Sequence, residues 1–234
     1  MSYGYYKQGP SVAEKRVKAQ KWIASQLRKK VDITPVEEGC KPGTTWWGKA
    51  WCNNLERYAD FSNRVTRGRS YVKNGFVVDF KFVNGVIVAK VLGSRAKPYD
   101  VQVVIEDLSE EKLQLVEKQC TQKLDSLETL LSGKFPEDLK NVYFEYLFPT
   151  PREIKFYCSC PDSAYMCKHV SAVLYAIACR VDSDPLFFFA LRGIDTAKLL
   201  AKSIDDKVED LLSNVTKTSK RALADEDTDK LFGL

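Results

Sequence analysis

The stretch "CSCPDSAYMCKH", residues 158 to 169, spends three of the seven cysteines and the only histidine of a 234-residue chain within twelve positions. Its spacing is C-x-C-x6-C-x-H, supplied by Cys158, Cys160, Cys167 and His169. Zinc takes four soft or borderline donors in a tetrahedron, and thiolate and imidazole are its usual structural ligands. One-residue spacing suits a bent strand end, where two sulfurs can turn toward one ion. Pro161 and Asp162 favour a turn that carries the chain back. Cys167 and His169 then fall at a helix entry, whose free N–H groups favour a thiolate. Three thiolates and a neutral imidazole around Zn²⁺ leave a charge near −1, which the nearby Lys155 and Lys168 could offset.

Four protein donors in one segment imply a closed, structural shell with no position for water. The zinc deaminase pattern is absent, and His169 is followed by Val170 and Ser171. No second histidine exists for a Ser-His or Cys-His nucleophile pair, and neither GxxxxGK[ST] nor GxGxxG occurs. The chain therefore reads as a non-enzyme with one structural zinc. Its start, "MSYGYYKQGP", lacks a secretory pattern, and its longest strongly apolar run, "LFFFAL", is too short to span a bilayer. The expected setting is the cytoplasm, where the cysteines are free thiols or ligands rather than disulfides. Cys40, Cys52 and Cys179 are then small buried hydrophobes, as is Cys120.

Around the motif, Ser11 and Glu14 form a capping box for a basic helix ending near Lys29 and Lys30. "TPVEEGCKPG" is a linker. Trp47, Trp51, Leu55 and Tyr58 form one face of a helix directed into the core. "GFVVDFKFV", "GVIVAKVLG" and "YDVQVVIEDL" are strands, the first two joined by a hairpin turn at Asn84-Gly85. Ser109 caps a helix striped by Leu113, Val116, Cys120, Leu124, Leu127 and Leu131 and stopped by Gly133. "NVYFEYLF" and "IKFYCSC" read as a second strand region. "KHVSAVLYAIACR" is a helix with Val170, Val173, Leu174 and Ile177 on one face. "DPLFFFALRG" and the segment capped by Asp195 are two further helices, and the last residues are loose. The expectation is an α+β protein, a small antiparallel sheet packed with helices, divided as 1–43, 44–134, 135–180 and 181–234.

The net charge of +5 is unevenly placed. Residues 1 to 73 hold 15 Lys and Arg against 6 Asp and Glu, so the basic third faces a slightly acidic remainder. "SNRVTRGRSYVKNG" concentrates Arg64, Arg67, Arg69 and Lys73 around Tyr71 between turns. Arginines grip phosphates and a tyrosine can stack on a base, so this loop is the expected nucleic-acid contact, with Gly68 and Gly75 permitting close approach. Its other reading is a loop whose arginines pair with acidic residues elsewhere in the fold.

"CSCPDSAYMCKHVSAVLYAIA" resembles the SWIM zinc finger. "TWWGKAW", "RGRSYVKNG", "VLGSRAKPYDVQV" and "DPLFFFALRG" are similar to segments of bacterial stand-alone SWIM zinc finger proteins. The resemblance implies a structural zinc in a ββα-type unit with the four ligands above. It also implies a DNA-binding or protein-interaction role, with a Swi/Snf-type helicase-like ATPase as partner. A protein adaptor without nucleic-acid contact and a thiol-based redox or metal sensor are the other readings.

Overall fold

The computed structural model describes residues 9–57, 62–121, 129 and 132–215. Helix α1 (Val12–Arg28) opens on the expected capping box, in which the Ser11 and Glu14 side chains each accept the other's backbone N–H. Helices α2 (Trp46–Arg57) and α3 (Ser62–Lys73) follow, then strands β1 (Val77–Val83), β2 (Val86–Val91) and β3 (Tyr99–Ile105). Asn84 and Gly85 both adopt positive φ in the β1–β2 turn, as a two-residue hairpin of matching twist requires. Helix α4 (Glu110–Thr121) buries Val116 and Cys120, while Leu124, Leu127, Leu131 and Tyr58 lie outside the described residues. One α-turn, α5 (Lys140–Val142), runs into a π-turn (Tyr143–Leu147), and β4 (Ile154–Cys158) leads to α6 (Lys168–Ser183), α7 (Leu186–Ala190) and α8 (Thr196–Val215).

The four strands make one antiparallel sheet in the order β1-β2-β3-β4. The α+β expectation holds, with two changes. "NVYFEYLF" is helical rather than extended, because its aromatics are held by tertiary contacts. The Tyr143 hydroxyl donates to the Trp47 carbonyl at 2.9 Å, and its ring packs against Trp46, Phe135 and Phe188. Secondly, β4 finds its partner in β3, about fifty residues earlier, with Val101 opposite Cys158 and Ile105 opposite Ile154.

Helix α6 is the axis of the core. Residues from Val170 to Ala178 are buried on every side, not only at Val170, Val173, Leu174 and Ile177. A helix apolar all round must be surrounded, and α2, α3, the sheet and α7 surround it. Trp47 and Trp51 bury their rings and donate their indole N–H groups to the carbonyls of Val181 and Leu174, each at 2.8 Å. Phe187, Phe188 and Phe189 fill the core. Asp195 caps α8 as expected, accepting from the N–H groups of Ala197 and Lys198.

The C-terminal end of α6 is fastened twice. Asp182 accepts the N–H groups of Gly43, Thr44 and Thr45, capping the approach to α2. Cys40 and Cys179 form a disulfide. This corrects the expectation that both are free thiols. The pairing joins positions 139 residues apart, which no local spacing reveals. No helix of the described residues is long and apolar enough to cross a membrane.

Candidate metal centre

Strand β4 delivers Cys158 at its last position, the turn delivers Cys160, and the N-terminus of α6 delivers Cys167 and His169. Their donor atoms all lie within 4.8 Å of one another. Cys158 and Cys167 place their sulfurs 3.8 Å and 4.0 Å from His169 Nδ1. A zinc tetrahedron with Zn–S of about 2.3 Å has edges of about 3.8 Å, so the four donors need to close by about an ångström at most.

Each sulfur also accepts a backbone N–H: Cys158 from Cys160, Cys160 from Asp162, and Cys167 from Val170. The C-x-C spacing has its reason here, because the amide two residues on turns back to the preceding sulfur. Cys167 is the N-cap of α6 and does with sulfur what serine does with oxygen. The Cys158 thiol donating to Cys167 holds the latter down to about 4, against burial and with help from His169 and the Val170 N–H. Cys158 is pushed up by the same hydrogen bond and by burial. The three sulfurs thus share charge unevenly, and a divalent cation is what permits all three to ionise together.

His169 is buried, 1% exposed, and its Nε2 has no hydrogen-bond partner. The imidazole is oriented by rings instead. Tyr99 lies 4.4 Å away at a tilt of 33°, and Tyr71 meets it edge-on at 5.7 Å. A Cβ at Gly93 would fall 2.6 Å from the Tyr99 ring and 3.0 Å from Nε2. Gly93 comes from the β2–β3 connection and Tyr99 opens β3, and sequence reasoning missed both as parts of the centre. Lys155, expected to offset the charge, is committed to Glu106 at 2.7 Å.

The expected nucleic-acid loop is helix α3, and its residues divide. Tyr71 is buried, 7% exposed, and serves the metal centre, so it cannot stack on a base. Arg64 reaches Asp162 in the finger turn at 3.3 Å, and Arg69 pairs with Glu56 at 2.9 Å while lying over the Tyr175 ring. Arg67 and Lys73 remain exposed. Gly68 faces inward, since a Cβ there would sit 2.4 Å from Ser171 Cβ; its approach is to α6, not to a ligand. Burial pushes the Cys52 thiol up to about 12, which leaves it no reactive thiolate.

The chain is 37% identical over 178 residues to Rv2102, an uncharacterized protein of Mycobacterium tuberculosis. The shared region covers 71% of this chain and 64% of that protein, so the chain spans less than two thirds of its relative's length. No solved structure matches. Residues 147–178 match the family model of the SWIM zinc finger. With every donor inside that span and within reach of one ion, the chain carries a SWIM zinc finger whose Cys158, Cys160, Cys167 and His169 are positioned to bind zinc.

Proposed function

We propose that this chain is a non-catalytic accessory protein, stabilised by a structural zinc, that works on DNA beside a Swi/Snf-type helicase-like ATPase. The observation that carries the reading is the closed donor set. All four ligands come from one short segment, the only histidine is among them, and the set cross-links β4 to α6. Such a site holds shape rather than performing chemistry. The excess of positive charge in residues 1 to 73 supports an anionic partner.

The second reading, a protein adaptor without nucleic-acid contact, draws on α8. Ile204, Val208, Leu211 and Leu212 are exposed along one side of that helix, each at least 47% accessible. Affinity purification from the native host, with and without nuclease, separates the two. Recovery of an ATPase that nuclease abolishes supports action through DNA. Recovery that nuclease leaves intact supports the adaptor. Recovery of no ATPase under either condition removes the proposed partner.

A further inference from the structure

Both rings that hold His169 also carry a cation. The Arg95 guanidinium lies 5.6 Å over Tyr99, and Lys15 Nζ lies 5.9 Å from the centre of Tyr71. Lys18 donates its ammonium N–H to the Arg95 carbonyl, which ties α1 to the β2–β3 connection. Arg67 sits one helical turn before Tyr71 on α3 and is exposed. Three segments far apart in sequence thus bring Lys15, Lys18, Arg67 and Arg95 together around one histidine.

Neighbouring cations on the same helices are neutralised. Arg16 pairs with Glu38, Arg64 with Asp162 and Arg69 with Glu56. Among the described residues, no carboxylate lies within ion-pair distance of Lys15, Lys18, Arg67 or Arg95. Four like charges gathered without counter-charge repel one another, and a bound polyanion removes that cost. Tyr71 and Tyr99 are each only 7% exposed, so neither ring offers a protein partner an accessible aromatic anchor. It offers charge on long side chains, which is what contact with successive phosphates requires.

We infer that the Lys15–Lys18–Arg67–Arg95 crest is the surface on which the phosphate backbone of a nucleic acid docks, a placement that rests on the DNA-directed function proposed above. Both crest rings are buried and cannot stack on bases, so contact there is mainly by cationic side chains on phosphates, tolerant of sequence and steep in salt. Four neutralised phosphates give a slope of log K against log salt of about −3.6 on duplex.

The test is fluorescence anisotropy with zinc-loaded full-length protein and a mixed-sequence duplex of about 20 base pairs, long enough to present at least four phosphates to the crest. Lys15→Ala/Lys18→Ala/Arg67→Ala/Arg95→Ala should lose at least about tenfold in affinity, and its slope should approach zero. Arg64→Ala/Arg69→Ala should stay within about threefold of wild type, since it removes paired cations only. If the quadruple variant does not fold, Lys18→Ala and Arg95→Ala should each lower the slope by about 1. Wild-type affinity in the folded crest variants, with the duplex still bound, overturns the crest and leaves the DNA-directed function standing. Absence of wild-type binding to any duplex or single strand at low salt overturns both. A polyglutamate peptide that binds and loses affinity in the crest variants, while nucleic acid does not bind, reassigns the crest to an acidic protein and overturns the inference.

Discussion

Gly93 leaves the single histidine almost no freedom. A methyl there would press on the Tyr99 ring and approach His169 Nε2. Groups that orient a metal-bound histidine typically contribute 10- to 100-fold in metal affinity. Gly93→Ala should therefore weaken zinc binding by about tenfold in competition against a chromogenic chelator, with the donor set intact. Cys158→Ser, which deletes a ligand, should abolish stoichiometric zinc in elemental analysis. At the end of the β3–β4 pair opposite the metal centre, Arg192 is 1% exposed and pairs with Glu153 at 2.7 Å. Burial would raise the Glu153 carboxyl, but Arg192 and the Thr150 N–H outweigh it and hold the group at about 2. A depressed carboxylate stabilises the fold above its unfolded pKa, near 4.5, and that contribution is lost as pH falls toward 2. Glu153→Gln should cost about 3 kcal/mol at neutral pH, because it strands a buried guanidinium. The variant should also flatten the acid limb of a denaturation profile between pH 4.5 and 2.

At the scale of elements, α6 is held at both ends and along one flank. Its N-terminus carries two metal donors, and its last turns carry Asp182 and the Cys40–Cys179 disulfide. Closing a loop of 139 residues constrains the unfolded chain, and removing such a bond typically costs about 2–5 kcal/mol. Cys179→Ala should lower the chemical denaturation midpoint accordingly, and a reductant should have the same effect on wild type alone. Along the flank, Gly68 lets α3 lie directly on Ser171. Gly68→Val should force the helices apart at a cost of about 1–3 kcal/mol, read in the same assay.

For the whole molecule, the two fastenings of α6 differ in kind, and their loss should not be equivalent. Metal removal frees the finger turn and the first turn of α6, while the disulfide and Asp182 still hold the other end. Amide exchange after chelation should therefore rise at residues 158–171 and change little at 174–181. Uniform loss of protection would mean that the zinc supports the entire core rather than its finger. The buried cluster runs from Ala19 to Leu199 and includes residues from each of helices α1 to α8 and strands β1 to β4, so such opening is a local event in a shared core.

What the sequence determined by itself is local. The C-x-C-x6-C-x-H donors, the Ser11–Glu14 box, the Asn84-Gly85 turn and the Asp195 cap each depend on residues a few bonds apart, where covalent geometry limits the outcome. The tertiary structure decided what depends on approach through space. It moved "NVYFEYLF" into a helix by seating Tyr143 among Trp46, Phe135 and Phe188. It joined Cys40 to Cys179, and it turned Tyr71 from an exposed ring into a wall of the metal centre. It also separated the basic residues into those with a carboxylate partner and those without. Charge and aromaticity are properties of a residue, but pairing and burial are properties of distance between residues remote along the chain. Only the fold sets those distances.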